Sequence, residues 1–482
     1  MQPESLLKER KNHFMKHVSF KISTLLISTL FAQNAIASGY HFGTQSVGAQ
    51  STANAAAAEA ADASTIFSNP AGLTKLDGRG EFTISGNLVF PSIKYGEAKG
   101  TYYNSTVPVT GSDSGKITEV TFAPHMYGAY KLNDKVTLGL GMYIPFGSKT
   151  EYDENSVLRY NINKLGLTTI AIEPAIAYQA TPQHSFGVGL IGQYSQAELR
   201  KYADWNASGR LGTHNGLSDG RGDIKGHDWG FGYHLGWMFD VNDRVRVGVN
   251  YRSKVEHNLK GTAKWDAVGP AVNPNSANSL PIASMVQPVI QAPVSQGGRG
   301  YVPTENASVK IVTPESLAVH GMYKATDKLN LFGDVTWTRH SRFNKAELMF
   351  ENQKQVVNGF SNKTVITPNW RDTYKVAVGG SYQYSEPLQL RAGIAFDQSP
   401  IKTSQDRLNT MPDANRIWYS VGARYTHKKN HVFETAFTYV DIKDSNFKAE
   451  QATGSDVDSK GATSARFKTY ASILGMQYTY RF

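Results

Sequence analysis

The sequence predicts an all-β fold, a transmembrane antiparallel β-barrel of about fourteen strands with an N-terminal plug inside the lumen. Three observations carry that prediction. The last nine residues place Leu474, Met476, Tyr478, Tyr480 and Phe482 on one face and Gly475, Gln477, Thr479 and Arg481 on the other, the two-residue period of a wall between lipid and a lumen. The same alternation recurs in segments long enough to cross a membrane, about 9 to 11 residues each when tilted. Short polar turns alternate with long connections between those segments, as in a barrel with turns on one side of the membrane and loops on the other. An unpaired aromatic edge strand invites aggregation, and closure removes the edge.

Taken in order, residues 1–37 read as a signal peptide. Lys8, Arg10, Lys11, Lys16, His17 and Lys21 precede an apolar run from Ile22 to Ala32, and Ala35-Ile36-Ala37 has the small-x-small form of a signal-peptidase site. The mature chain is expected to begin at Ser38. Met15 is an alternative start, because residues 15–37 already make a complete signal. The apolar run is too short for a membrane-spanning helix. Residues 38–80 are rich in small side chains, including Ala55 to Ala58, Ala60, Ala61 and Ala63, and close at Asn69, Pro70, Ala71 and Gly72. They have neither strand alternation nor the apolar stripe of a helix packed outside a barrel, so this segment is expected to fold inside the lumen.

The barrel then occupies residues 81–482. The expected strands are 81–94, 117–132, 135–149, 166–180, 184–202, 226–240, 244–261, 308–325, 328–345, 370–385, 388–398, 416–427, 431–445 and 466–482. Tight turns such as Asn133-Asp134, Asn242-Asp243 and Thr326-Asp327 join several pairs, and 95–116, 150–165, 203–225, 262–307, 346–369, 399–415 and 446–465 read as loops. An even strand number returns the C-terminus to the side where the plug begins.

Composition removes competing classes. No segment after the leader offers about 18 consecutive apolar residues, so a helical membrane protein is excluded. The absence of cysteine removes disulfides and thiolate metal sites. The chain has 50 Lys+Arg and 40 Asp+Glu; residues 1–37 hold five and two of these, which leaves 45 against 38, or +7. These charges are spread among strands and loops rather than clustered with aromatics, so no nucleic-acid partner is expected. A modest positive balance suits anionic lipopolysaccharide, outer-membrane lipid or anionic ligands. No cofactor and no metal site are called for. The thirteen histidines show no ligand spacing on one face, and His340-Ser341, a hint of a nucleophilic pair, point to opposite faces if they lie on a strand.

Parity assigns lumenal cations. Arg371, Thr373, Lys375, Ala377, Gly379, Ser381 and Gln383 share one face, and Tyr374, Val376, Val378, Tyr382 and Tyr384 the other. The same split puts Gln389, Arg391 and Asp397 inside and Leu388, Leu390, Ile394 and Phe396 outside. A cation on the lipid face at the midplane would cost about 2–4 kcal/mol, so Arg371 and Lys375 are expected to face the lumen. In Tyr143-Ile144-Pro145-Phe146-Gly147, proline cannot donate to a ladder and glycine weakens it, which predicts a local gap in the third strand.

The chain resembles the FadL family of outer-membrane long-chain fatty-acid transporters. The resemblance rests on Ser38-Gly39-Tyr40, Asn69-Pro70-Ala71, Trp370-Arg371-Asp372 with Tyr374, Arg391-Ala392-Gly393-Ile394-Ala395-Phe396-Asp397 followed by Ser399-Pro400, and Pro412-Asp413 with Arg416 and Trp418. It implies a fourteen-stranded barrel plugged by its own N-terminal segment, and passive uptake of hydrophobic molecules rather than catalysis. The terminal Phe482 likewise resembles the closing aromatic that the barrel assembly machinery reads. By this resemblance ligand is captured on loops 203–225 and 262–307, where Leu280, Ile282, Met285, Val286, Val289 and Ile290 form an apolar cluster. It would then be held near Tyr40 and Phe42 by Arg371 and Lys375, with Arg200 and Lys201 as further candidates, and released sideways at Pro145, Phe146 and Gly147. Long-chain fatty acids are the expected substrate and aromatic hydrocarbons the alternative; an outer-membrane lipid hydrolase and an open porin are the rivals from other classes.

Overall fold

A computed structural model describes residues 41–205, 219–267, 287–457 and 460–482. The expected signal peptide and Tyr40 lie outside these residues, as do Leu280, Ile282, Met285 and Val286. Among the described residues the wall consists of fourteen antiparallel strands: β1 (Gly80–Tyr102), β2 (Thr121–Lys131), β3 (Val136–Tyr143, continued by Gly147–Glu151), β4 (Ile162–Gln179), β5 (His184–Asp204), β6 (Asp219–Asp240), β7 (Val245–Arg252, continued by Val255–Ala267), β8 (Thr304–Thr313 and Ser316–Lys324), β9 (Leu329–Thr338 and Ala346–Val356), β10 (Gly359–Ile366 and Thr373–Gln383), β11 (Leu388–Asp397), β12 (Arg416–His427), β13 (His431–Ala449) and β14 (Lys460–Arg481). A two-residue strand, Gly115–Lys116, pairs with β1 outside this series.

Each strand pairs with the next, and β14 returns to β1 from Glu81 opposite Arg481 to Tyr102 opposite Lys460. The sheet therefore closes on itself. Alternation positions the side chains. Met476 and Phe482 are 65% and 53% exposed on the outer face, while Gln477 and Thr479 are buried inside. On β10, Tyr374, Val376 and Val378 face out, and Thr373, Ala377 and Ser381 face in. The strands run further at the loop end than their apolar patterning implies. Residues 346–369 form much of a paired hairpin, with Ala346 opposite Ile366 and Val356 opposite Gly359, rather than a loop. Its inward Ala346, Leu348 and Phe350 alternate with Glu347, Met349 and Glu351, so the two-residue period is present without a continuous apolar outer side.

The N-terminal segment fills the lumen as short turns of helix at Val47–Gln50, Ala56–Glu59, Thr65–Ser68 and Pro70–Lys75. Helices this short do not stand alone in water, and the wall holds them. Gln50 Nε2 donates to Ile473 O at 3.0 Å, and its Oε1 accepts from Asn87 Nδ2 at 2.6 Å. Asn69 caps the last turn through Ala71 N (3.0 Å), Pro70 takes the first helical position, and Asn69 Nδ2 reaches Trp237 O and His320 Nε2, each at 3.0 Å. Two wall glycines admit this close approach: a Cβ on Gly236 would overlap Asn69 Oδ1, and one on Gly393 would overlap the Thr52 carbonyl.

Candidate functional site: a lumenal cavity beside a broken strand

Proline shapes the first part of the site. β3 is interrupted between Tyr143 and Gly147, and its ladder with β2 stops at Met126 opposite Met142. Thr121 to His125 of β2 therefore pair with β1 but not with β3, whereas β4 keeps pairing with both halves of β3. The plug takes over as partner at the break. Phe42 N donates to Pro145 O at 2.8 Å, Ile144 N donates to Gln45 Oε1 at 3.0 Å, and Gln45 Nε2 donates back to Ile144 O at 2.6 Å. Backbone groups of Ile144 and Pro145 are thus satisfied by a segment that is not part of the wall, while Phe146 N donates to Thr169 Oγ1 of β4 at 2.9 Å.

Beside the break lies a cavity of roughly 140 Å³, bounded by the plug on one side and by inward residues of β7 to β12 on the other. Its cations differ in how they are partnered. Arg252 donates to Tyr143 Oη at 2.6 Å, Glu173 Oε2 at 3.3 Å and Phe67 O at 3.0 Å, joining the strand before the break to the plug. Arg391 donates to Ser51 Oγ at 2.9 Å and Glu59 Oε1 at 3.1 Å. Burial alone would raise the Glu59 carboxyl, but the Arg391 and Arg424 guanidiniums beside it outweigh that and hold its pKa below the ordinary value. Lys375 is different: among the described residues it makes no hydrogen bond or ion pair, and its ammonium lies 4.6 Å over the Trp418 ring.

Two carboxylates flank Lys375 without touching it. Asp397 is its register partner on β11 and lies 3.7 Å from Arg416, and Asp334 accepts from Thr336 Oγ1 at 2.7 Å. Trp418 is buried, and its indole N–H finds no acceptor among the described residues. His41 of the plug also lines the cavity. Burial first, then the neighbouring His340, Lys375 and Arg252, lowers its pKa to about 3, so the imidazole is neutral at physiological pH.

A second cavity, roughly 110 Å³, is lined almost wholly by apolar side chains, among them Leu167, Leu199, Val309, Ile311, Phe343 and Met411. A cluster of Phe146, Leu167, Trp370, Ile401 and Met411 shares two of these residues. Trp370 connects the regions, with ring centroids 4.9 Å from Phe343 of the apolar cavity and 6.2 Å from His340 of the polar one.

The structure regroups the residues picked from sequence. Lys375 lines the cavity, but Arg371 does not. Arg371 lies in the connection between the two halves of β10, where no ladder fixes parity, and its Nε donates to Ser399 O at 3.2 Å. Phe42 is fully buried against the wall, stacked 6.4 Å from His125, while its neighbours His41 and Gly43 line the cavity. Arg200 bonds Asp223 and Glu151, and Lys201 donates to Val457 O at 3.0 Å, both away from the cavity. Of the loop residues described, Val289 is exposed, whereas Ile290 is buried in a cluster with Trp265 and Tyr301. Glu59, Arg252, His41 and Trp418 were missed as site residues. Parity along β12 and along Val245–Arg252 of β7 could have placed Trp418 and Arg252 inside; Glu59 and His41 depend on where the plug lies.

Comparison with known proteins agrees with this geometry. The profile of the outer membrane protein transport family (OMPP1/FadL/TodX) matches residues 28–482. An outer membrane protein of Neisseria meningitidis serogroup B is 57% identical over 479 residues, covering 96% of this chain and 99% of that protein. The long-chain fatty acid transport protein of Escherichia coli O6:H1 is 25% identical, covering 87% and 89%. Among solved structures, a Pseudomonas aeruginosa FadL homologue superposes with a TM-score of 0.77 at 21% identity, covering 92% of this chain and all of that one. The Pseudomonas putida toluene transporter TodX superposes at 0.62 and 16% identity, covering 87% and 94%. The chain belongs to the outer membrane protein transport family (OMPP1/FadL/TodX) and is a β-barrel of the bacterial outer membrane that transports hydrophobic compounds.

Proposed function

We propose that the transported compound is a long-chain fatty acid, with its carboxylate at Lys375 and its acyl chain among apolar lumenal side chains. One observation carries this reading: Lys375 lines the cavity with no ion pair among the described residues, while Arg252 and Arg391, which line it too, are tied to carboxylates. A carboxylate there gains a charge-assisted hydrogen bond from Lys375 and an acceptor role toward the unpartnered indole N–H of Trp418. An unpaired ammonium in a lumen is costly without such a partner. The relative from Escherichia coli supports the same substrate class.

Release is proposed to be lateral, through the β2–β3 gap. The plug holds the gap's backbone through Phe42 and Gln45, so ligand that displaces the plug also frees Ile144 and Pro145. Aromatic hydrocarbons are the second reading, favoured by the nearly all-apolar second cavity and by the shared fold of a toluene transporter. The test is binding of oleate and of toluene to the detergent-folded mature protein, with uptake of each in cells lacking their own transporter. Saturable oleate binding with rescued oleate uptake supports the proposal; rescue by toluene alone moves the substrate to aromatic hydrocarbons.

A further inference from the structure

Two flanks of the outer wall treat their charges differently. At the loop end of β3 to β6, cations alternate with acids: Lys164 lies 3.4 Å from Glu151 and 3.2 Å from Glu198, Arg200 lies 2.9 Å from Asp223, and Arg221 lies 3.2 Å from Glu154. Lys164 and Arg200 are register partners, and these carboxylates screen the like pair. The closing seam is built otherwise. Lys94 of β1 stands directly opposite Lys468 of β14 on one side and Lys116 of the two-residue strand on the other. Three exposed ammonium groups thus form a row across adjacent strands, and none makes an ion pair among the described residues.

Three acids close to the row have other partners. Glu97 and Asp444 flank Arg466, at 3.8 and 3.5 Å, and Glu119 lies 2.9 Å from Lys149. Like charges directly opposite destabilise a strand pair unless something outside the protein screens them.

Height along the wall says what that is. Tyr470 and Tyr480 on β14 are both exposed, and Phe90 and Phe82 on β1 mark nearly the same levels. Ten residues separate the two tyrosines, about 26 Å of height at about 3.4 Å per residue and about 40° of tilt, which matches the apolar band of an outer-membrane barrel. Tyr439 extends the upper girdle, its ring 6.2 Å from Tyr470. Lys468 lies two residues beyond Tyr470 toward the loops, so the row sits at headgroup height in the outer leaflet. We propose that Lys94, Lys116 and Lys468 form a binding site for the phosphate groups of an outer-leaflet glycolipid, the phosphorylated headgroup of lipopolysaccharide. Compact ammonium charges on flexible stems suit phosphates whose exact position varies.

The test uses the full detergent-folded barrel, with folding read from its resistance to SDS before heating. Bisphosphorylated lipid A, the same lipid A without phosphates, and phosphatidylglycerol are titrated by native mass spectrometry. The wild type is expected to bind bisphosphorylated lipid A at least about tenfold more tightly than either other lipid, the direct contacts being charge-assisted. The triple variant Lys94→Gln, Lys116→Gln, Lys468→Gln should lose that preference. A charge-matched control, Lys260→Gln, Lys264→Gln, Lys310→Gln, alters exposed lysines of β7 and β8 and should keep it. Lys94→Gln alone should raise the melting temperature without lipid and lower it, relative to wild type, with bisphosphorylated lipid A. The assignment is overturned if the triple variant keeps its preference, if the control loses as much, or if phosphatidylglycerol binds as tightly.

Discussion

Lys375 and Arg391 stand on neighbouring strands and line one cavity, yet they do opposite things. Arg391 reaches the plug, where Ser51 and Glu59 accept its hydrogen bonds. Among the described residues Lys375 makes no hydrogen bond or ion pair and lies over the face of Trp418, with Asp334 and Asp397 nearby and engaged elsewhere. The cavity thus has one wall that fastens the plug and another whose lysine is left without an ion pair among the described residues, which is where the proposed carboxylate would sit. A channel that must hold a plug and yet release it on ligand arrival needs both.

The sharpest way to break this contrast is to evict the plug sterically. Gly236→Leu places a side chain where Asn69 and Pro70 sit, so the plug cannot seat; single-channel recordings should show a barrel that folds but conducts ions continuously. Next in size is removal of Arg391. Arg391→Met leaves Glu59 buried without its partner, at a cost of about 3–5 kcal/mol, and limited proteolysis should then cut within 43–68 while the wall survives. Lys375→Met acts on the other wall. It should weaken oleate binding by about 10- to 100-fold, the equivalent of one charged hydrogen bond of about 1.5–3 kcal/mol, without changing plug proteolysis or toluene binding.

The smallest effect is pH dependence of plug seating. The Glu59 pKa is depressed on folding, so its stabilisation is complete above the unfolded value of about 4.3 and is lost as pH falls through the lower folded value. His41, lowered to about 3, binds its proton more readily when released; seating therefore weakens as pH falls below about 6.5 and continues to weaken toward 3. Protection of the plug from proteolysis should be flat above pH 7 and decline below it, and His41→Gln should remove the part of the decline that begins near pH 6.5.

The wall was legible because its rule is local. A two-residue period and the cost of a charge facing lipid placed Lys375, Arg391 and Asp397 inside from β10 and β11 alone. The same rule does not reach Arg371, because the ladder restarts at Thr373 and parity has no meaning in the connection before it. Extension of the strands beyond the membrane was hidden for a related reason: in 346–366 Glu347, Glu351 and Lys363 interrupt the outer side, so the segment lacks the continuous apolar face used to find strands. The partners of lumenal cations were not legible. Glu59 and Arg391 are separated by 332 positions, and no spacing rule reports which cation a plug carboxylate will reach. That information decides which cation is left over.

Whether Lys375 reads a carboxylate is tested by comparing oleate with methyl oleate, equal in chain but without charge, on wild type and Lys375→Met. The wild type should prefer oleate by about 10- to 100-fold and the variant should show no preference, with methyl oleate binding alike to both. An undiminished preference for oleate in Lys375→Met would contradict the proposed role and move carboxylate recognition to another group.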